Sequence, residues 1–322
     1  MILSIVIPMY NVEKYIDKCL SSCYCQNIPQ SEYEVVCVND GSPDKSSEIA
    51  KEFSKTHPNL KVIDRVNGGL SAARNTGIDN SKGEYIFFLD SDDWIAENCL
   101  EKIIQQLRDE SPDILAICAA NVIGNSFVRR VSHDGKYPMT GIEVMKRGIS
   151  PCAPFSITRR GLLNENKLRF FEGIYHEDSE FTPRLYYYAK KVSFTNDIIY
   201  YVYQNPESIT RKPNPKKVFD VIGVVCPRLH EFSKNLTEEE KNIFSNRISS
   251  DINTALSHSG ECSNEQIEKI NSLLYQNRFL FRHLKRSSLL KYKIEGYLFS
   301  LFPHKSVEIY YFLQNLNFRR KA

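Results

Sequence analysis

Short apolar runs alternate, through residues 1–120, with segments whose apolar residues recur at helical spacing. The runs predict five strands, at residues 2–7, 34–38, 60–63, 85–89 and 114–119. Between them, segments such as 12–25 place their apolar residues on one face of a helix. Strands without polar alternation that are separated by helices are typical of a mostly parallel sheet covered on both faces. The sequence therefore predicts an α/β fold with helices flanking the sheet.

The pattern changes twice further along the chain. Beyond residue 125 it loosens into a candidate strand at 127–131, helices at 141–147 and 179–189, and one or two strands over 192–203. Beyond residue 215 it is helical, with breaks near Gly260 and Pro303. We therefore predict a first domain over 1–215, divided into parts 1–125 and 126–215, and a helical C-terminal region over 216–322.

Polar residues gather where the predicted strands end. Tyr10-Asn11 follows the first strand, Asp40 the second, and Asp90-Ser91-Asp92-Asp93 the fourth. Ligands of open parallel sheets bind outside the carboxyl ends of the strands, so these residues indicate one shared site. Clustered carboxylates repel one another unless a cation compensates, and hard oxygen ligands suit Mg²⁺ or Mn²⁺ beside phosphate. The alternative is that Ser91 or Asp92 only caps the next helix.

Two further segments carry candidate binding groups. Asp40 lies in the segment Asn-Asp-Gly-Ser-Pro, whose residues favour a tight turn. The alternative is that its carboxylate accepts a hydrogen bond from a nucleobase. Arg74 lies among the glycines and small residues of 68–77, which let a helix approach another element closely. It is either a bidentate ligand of phosphate or base oxygens, or a solvated arginine on an amphipathic helix. The spacing matches neither a P-loop nor a Rossmann fingerprint.

Acidic and basic residues further along complete the candidate chemistry. Glu177 and Asp178 precede a predicted helix, and acidic residues at a helix start are favoured by the helix dipole alone. The functional alternative is that one of them is a general base. Arg211, in a polar loop, could close over a pyrophosphate, and a solvated loop charge is an equal alternative.

Composition narrows the class of protein. The chain has 322 residues, of which 42% are apolar and 25% charged, as in globular proteins. We expect no transmembrane helix and no secretory signal, and we expect the nine scattered cysteines to be reduced core residues. The net charge of +3 is unevenly distributed along the chain. Residues 278–322 contain ten basic and two acidic residues, and the rest of the chain contains 32 basic and 37 acidic residues. One end of the protein could thus face an anionic surface.

Taken together and in order, four motifs resemble the family 2 glycosyltransferases, of the bacterial polysaccharide type. They are Ser-Ile-Val-Ile-Pro-Met-Tyr-Asn at 4–11, Val-Asn-Asp-Gly-Ser at 38–42, the glycine-rich segment 68–77, and Phe-Leu-Asp-Ser-Asp-Asp-Trp at 88–94. The resemblance is close over 1–125 and looser to about 212. It implies the GT-A nucleotide-diphospho-sugar transferase fold, with a C-terminal helical extension, and transfer with inversion at the anomeric carbon.

The resemblance also implies roles for individual residues. Pro8, Tyr10 and Asn11 line the nucleotide pocket, supported by Glu13. Asp40 binds a uracil-type base, Arg74 contacts base or phosphate, Asp90 and Ser91 face the ribose, and Asp92 binds Mn²⁺ or Mg²⁺. Asp178, with Glu177 beside it, occupies the motif of the catalytic base, and Asp178 is the favoured assignment. Many relatives carry a histidine before the Ser-Ile-Thr stretch, whereas this chain has Tyr203-Gln204-Asn205, so no histidine ligand is assigned.

The hypothesis is a metal-dependent hexosyltransferase that moves a sugar from a UDP-linked donor to a hydroxyl of a glycan or lipid-linked acceptor in surface polysaccharide synthesis. The alternatives are a nucleotidyltransferase and a non-catalytic glycan-binding protein with a degenerate site. We expect no nucleic-acid partner. The location expected is the cytoplasm, with peripheral contact to an anionic membrane through residues 278–322; packing of these helices on the catalytic domain is the equal alternative.

Overall fold

The computed structural model describes residues 1–124, 126–131, 138–204 and 214–319. The chain divides into two compact units. The first contains residues 1–173 and 185–209, and the second contains residues 174–184 and 210–322.

A mixed sheet forms the centre of the first unit. Its strands are β1 (Leu3–Met9), β2 (Tyr33–Asn39), β3 (Leu60–Asp64), β4 (Tyr85–Phe88), β5 (Trp94–Ile95), β6 (Ile114–Ile123), β7 (Ser126–Val131), β8 (Ser156–Arg159) and β9 (Val192–Tyr203). Their order is β3-β2-β1-β4-β8-β6-β9-β5, with β7 paired to β6. Pairing is parallel in β3-β2-β1-β4 and between β6 and β9, and antiparallel where β5, β7 and β8 join.

Helices cover both faces of this sheet, which confirms the α/β prediction. They are α1 (Ile16–Tyr24), α2 (Ser46–Ser54), α3 (Leu70–Asn80), α4 (Cys99–Glu110), α5 (Gly141–Arg147), α6 (Arg160–Glu165) and the C-terminal part of α7 (Glu177–Tyr188). Ile16 and Leu20 of α1 and Leu100 of α4 join the core beside Ile5 and Ile7 of β1. On the opposite face, α3 approaches Val6 of β1 at Gly77, where a Cβ atom would lie 2.2 Å from Val6 Cγ1.

The five early strands and the helices between them are confirmed, with one correction. We expected Pro8 to end the first strand, but β1 continues through it to Met9. The pairing of β1 with β4 ends at Val6, so no ladder bond on that side requires an N–H at residue 8. The segment 192–203 is one strand, and its register against β6 shifts between Phe194 and Ile198, close to the turn that the sequence indicated.

The second unit is helical, as predicted beyond residue 215. Its helices are α8 (Lys216–Asp220), α9 (Cys226–Ser233), α10 (Glu238–His258), α11 (Asn264–Gln276), α12 (Phe281–Arg286), α13 (Leu290–Leu301) and α14 (Ser306–Arg319), together with the N-terminal part of α7. A π-helical turn joins α8 to α9. Short 3₁₀ turns at Ser259–Glu261 and Pro303–Lys305 mark the two predicted breaks. Within the described ranges, no helix is both long and apolar enough to cross a bilayer.

The division into units differs from the predicted boundary. We predicted 1–215 and 216–322, whereas residues 174–184 cluster with the helical unit. The reason lies in polar contacts, because the Tyr175 N–H donates to Asp220 Oδ2 at 2.8 Å and Arg228 Nε donates to Glu180 Oε1 at 3.0 Å. The nine cysteines are free and six of them are buried, in agreement with their use as core residues.

Candidate donor site

The loop after β1 is held by the loop after β2. Asn11 has a φ of +57°, and its N–H donates to Ser42 Oγ at 2.7 Å. The N–H of Val12 donates to Ser46 Oγ at 3.0 Å, and that of Glu13 to Asp44 Oδ2 at 2.8 Å. These bonds fix the backbone of 11–13, so Tyr10 and Asn11, both exposed, are presented at the carboxyl end of β1.

Asp44 is the centre of this contact, a role that the sequence did not indicate. It lies two residues before α2 and accepts hydrogen bonds from the hydroxyls of Ser42 and Ser46. Burial raises the pKa of Asp44, but the hydrogen bonds from these hydroxyls and from the Glu13 and Ser46 N–H groups outweigh it and hold the pKa at about 2. Its carboxylate therefore stays ionised and ties the two loops together.

Pro8 and Glu13, two other predicted nucleotide-pocket residues, have different surroundings. Pro8 is buried within β1 opposite Val38 of β2. Glu13 is exposed, and its Oε2 accepts from the Lys45 N–H at 3.1 Å. Pro8 therefore belongs to the strand itself, whereas Glu13 joins the loop after β1 to the loop after β2.

Asp40 fastens the glycine-rich segment to the end of β2. Its side chain is buried, and its carboxylate accepts from the N–H of Gly68 at 3.0 Å, from the N–H of Gly69 at 2.7 Å, and from the Arg65 guanidinium. Gly69, with a φ of +86°, then begins α3. A carboxylate has about four acceptor positions, so three bonds leave room for one more donor, such as a base N–H. Arg65 was not predicted, because nothing in its sequence surroundings distinguishes it.

Arg74 crosses from α3 to the end of β4. It is 1% exposed, and its Nη2 donates to Asp90 Oδ1 at 2.9 Å. The rings of Phe88 and Phe170 lie 5.9 and 5.3 Å from its guanidinium carbon. A charged group this deeply buried is stable only where it is paired, and here the pairing directs it at the acidic cluster. The structure excludes the solvated alternative for Arg74.

The acidic cluster after β4 separates into different environments. Asp93 is buried and accepts from Tyr200 Oη and from the Tyr203 N–H, each at 2.7 Å. Burial, followed by the charges of Asp90 and Asp92, raises the pKa of Asp93 to about 8. Asp90 and Asp92 are half-buried, and Ser91 is buried. Asp93 is therefore a structural group that joins β4 to β9, whereas Asp90 and Asp92 remain accessible.

Asp92 fits a hard divalent cation in one respect. It offers a half-buried carboxylate beside two further carboxylates, whose mutual repulsion a cation would relieve. Within the described part of the chain, no group of three or more His, Cys, Asp or Glu side chains is arranged as a metal cage. Such a cation would take its other ligands from phosphate oxygens and water, as Mg²⁺ commonly does.

The predicted base segment forms the start of α7 in the helical unit. Glu177 and Asp178 are half-buried in its first turn, after His176 at a φ of +61°. Glu180 is fully buried and is paired with Arg184 of the same helix and Arg228 of α9. Together with the Tyr175–Asp220 bond, these contacts fix the direction of the first turn. Arg211 lies outside the described residues.

Comparisons with known proteins identify the family. The sequence model of glycosyl transferase family 2 matches residues 4–166. Over 229 residues the chain is 31% identical to the uncharacterized glycosyltransferase EpsJ of Bacillus subtilis, which covers 66% of this chain and 64% of EpsJ. Over 202 residues it is 34% identical to a poly(ribitol-phosphate) beta-glucosyltransferase of Bacillus spizizenii, which covers 62% of this chain and 32% of that protein. The match therefore spans less than two thirds of either relative.

A solved structure extends the comparison across the whole chain. It is the crystal structure of residues 1–349 of TarS from Staphylococcus aureus in complex with UDP-GlcNAc. The TM-score is 0.78 at 25% identity, and the alignment covers 98% of this chain and 92% of that one. The similarity includes the C-terminal helices and confirms the predicted fold, helical extension included.

Proposed function

Because the chain belongs to glycosyl transferase family 2, we propose that it transfers a sugar from a UDP-linked donor to a hydroxyl of a polysaccharide or lipid-linked acceptor, with inversion at the anomeric carbon. One observation carries the proposal. The buried Arg74 of α3 is paired with Asp90 at the end of β4, two residues before the half-buried Asp92, and the chain is similar in structure to TarS bound to UDP-GlcNAc.

The residues of the first unit have separate tasks in this proposal. Asp40 accepts from the base N–H while it holds Gly68 and Gly69 in place. Arg74 orients Asp90, which together with Ser91 faces the ribose. Tyr10 and Asn11 border the pocket on the loop fixed by Asp44. Because these groups are held before the donor arrives, little conformational entropy is lost on binding.

Asp92 is the group that we propose to hold Mn²⁺ or Mg²⁺. Bound there, the cation would supply positive charge to the leaving diphosphate as the glycosidic bond breaks. Asp178 takes the proton from the acceptor hydroxyl, and the α7 start holds its carboxylate in a fixed direction. Glu177 is the second candidate for this proton transfer.

Calorimetric titration with UDP tests the donor site and the metal together. We expect binding that strengthens with Mn²⁺ for the wild type, and affinity at least about tenfold lower in Asp92→Asn when Mn²⁺ is present, equivalent to about 1.4 kcal/mol. Asp109→Asn is the matched control, because it removes an exposed carboxylate of α4. Equal affinities of wild type and Asp92→Asn would show that Asp92 does not hold the cation.

Turnover assays test the reaction and its acceptor. The names of the similar proteins suggest UDP-GlcNAc and UDP-glucose as the first donors to offer and poly(ribitol phosphate) as the first acceptor. Lipid-linked glycans are the second class of acceptor to offer. We expect Asp178→Asn to abolish transfer while UDP binding persists, and NMR of the product to show an inverted anomeric centre. Release of pyrophosphate from a nucleoside triphosphate would instead establish a nucleotidyltransferase. Intact UDP-sugars across a donor panel would indicate a glycan-binding protein.

A further inference from the structure

Helix α13 turns an apolar stripe towards solvent. Leu290, Ile294, Tyr297 and Leu301 recur at intervals of four, three and four residues, which places them on one helical face. All four are exposed, to between 43% and 71%, and Leu289 and Phe302 extend the stripe at its two ends. Among the described residues, six of the seventeen exposed large apolar side chains thus lie within 289–302. We call these six residues the α13 stripe.

The opposite face of α13 fixes the stripe in its outward position. Glu295, Gly296 and Phe299 are buried, and Asn253 of α10 donates to Glu295 Oε2 at 2.6 Å. A Cβ atom at Gly296 would lie 2.8 Å from the backbone nitrogen of Lys285, so α13 is in close contact with the end of α12. Rotation of the helix to bury the stripe would break these contacts, so the exposure is a property of the packed unit.

Basic side chains border the α13 stripe. Lys291 and Lys293 lie on its two sides, and Lys285 Nζ lies 5.2 Å from the ring of Tyr297. Lys291 Nζ also lies 3.9 Å from Glu295 Oε1, and its side chain is 41% exposed. Glu295, one of the two acidic residues in 278–322, is fully buried. Burial raises the pKa of the Glu295 carboxyl, against the hydrogen bond from Asn253 and the charge of Lys291, which lower it. Basic residues therefore outnumber acidic residues by ten to two in the segment that carries the stripe.

We propose that the α13 stripe and its flanking lysines dock the protein on an anionic phospholipid surface. An apolar face rimmed by lysine and containing a tyrosine has the composition of helices that lie in the headgroup region of a bilayer. The lysine stems can lie along the apolar surface while their ammonium groups reach the phosphates. A second copy of this chain fits less well, because it would bring two basic rims together. The proposed function gives the contact its purpose, access to a lipid-linked acceptor, but binding to lipid requires no activity.

Flotation of the full chain with vesicles tests this proposal. We expect binding to phosphatidylcholine vesicles that contain phosphatidylglycerol, weaker binding to phosphatidylcholine alone, and release by added salt. The variant Lys291→Gln with Lys293→Gln should bind the anionic vesicles about 30-fold more weakly, because each lysine near an anionic leaflet is worth about 1 kcal/mol. Its control is Lys234→Gln with Lys269→Gln, which removes the same charge from exposed sites of the same unit and should bind as the wild type does.

A second pair of variants tests the apolar part. Leu290→Gln with Leu301→Gln should lower vesicle binding by at least about tenfold, since each leucine loses its transfer into the interface. The control, Ile123→Gln with Val128→Gln, changes exposed apolar residues of β6 and β7 and should bind normally. Far-UV circular dichroism of every variant reports folding of the helical unit, and UDP titration reports the donor site, so misfolding, failure of the donor site and failure of lipid binding are distinguishable.

Three results would overturn the proposal. The first is that the wild-type protein does not bind anionic vesicles. The second is that the lysine and leucine variants bind the vesicles as well as their controls do. The third is a dimer that dissociates in Leu290→Gln with Leu301→Gln while vesicles stay unbound, which would identify the stripe as a contact between copies.

Discussion

The approach of α3 to β1 makes Gly77 the position where the donor site is most sensitive to one added methyl group. A Cβ atom there would lie 2.2 Å from Val6 Cγ1. Carbon atoms pack best at about 3.5 Å or more, so Gly77→Ala requires α3 to move by about 1 Å. Overpacking of this kind costs about 3 kcal/mol at the upper end of its range, and the better helix propensity of alanine returns about 1 kcal/mol. We expect a net loss of about 2 kcal/mol in the free energy of unfolding.

Urea unfolding followed by tryptophan fluorescence measures the stability of the first unit, where Gly77 lies. The chain has one tryptophan, Trp94, and it belongs to β5 of the first unit. Gly161→Ala is the matched control, because a Cβ there would lie 2.3 Å from Arg159 Nη1, the mobile end of a long side chain. The control overlap is as severe as that at Gly77, but rotation of the Arg159 end relieves it and costs only the ion pair between Nη1 and the exposed Glu165. We expect little change in its stability.

A second substitution reverses the sign of the effect. Val6→Ala removes both methyl groups that the new side chain would meet and leaves the Cβ of residue 6 at 3.3 Å. In that background Gly77→Ala should be neutral or stabilising by about 1 kcal/mol, which is a coupling of about 2 to 3 kcal/mol. UDP affinity should fall in Gly77→Ala and recover in the double variant, because α3 carries Arg74. If Gly77→Ala is as stable as Gly161→Ala, the close contact of α3 with β1 is refuted.

Two further predictions concern the helical unit. Arg228→Met should lower kcat several-fold and leave the Kd for UDP unchanged, because loss of the guanidinium loosens Glu180 and the turn that carries Asp178. Arg228→Lys should restore part of the kcat. A Kd for UDP that changes as much as kcat would indicate general misfolding. Burial, with the charges of His230 and Arg286, lowers the pKa of His283 from 6.5 to about 4, so the unfolded chain takes up a proton first as the pH falls. The free energy of unfolding should therefore fall by up to about 3 kcal/mol between pH 6.5 and pH 4. Urea unfolding at each pH measures this fall, and His283→Asn, which has no titrating imidazole, should reduce it. An unchanged pH dependence in His283→Asn would show that His283 is not the group responsible.

The early strands and helices could be predicted because each is specified by local pattern. A buried strand such as β4 needs only a run of apolar residues, and α1 needs only one apolar face. The position of β8 between β4 and β6 could not be predicted in this way, since it depends on pairing with strands far away in sequence. Strand β5 has two residues, too few to show any period.

The candidate site could be predicted as a set of residue types, but not as a set of contacts. Asp40 and Arg74 are where the motifs place them, and yet the partner of Asp40 at Arg65 depends on how the chain returns after β3. Asp93 looked equivalent to Asp92 in the sequence. It differs because β9 brings Tyr200 against it, a contact across 107 residues that no local pattern reveals.

The helical C-terminal region acquires a specific task from these contacts. The sequence indicated only an appendage, yet Asp220 and Arg228 belong to its first helices and bond directly to residues 175 and 180. Asp178, the proposed base, lies between those two anchored positions. Truncation at residue 215 would remove both anchors, the Asp220 carboxylate and the Arg228 guanidinium that pairs with Glu180. The truncated chain should therefore retain the strands and the Arg74–Asp90 pair of the donor site while losing transfer, which separates donor binding from catalysis along the chain.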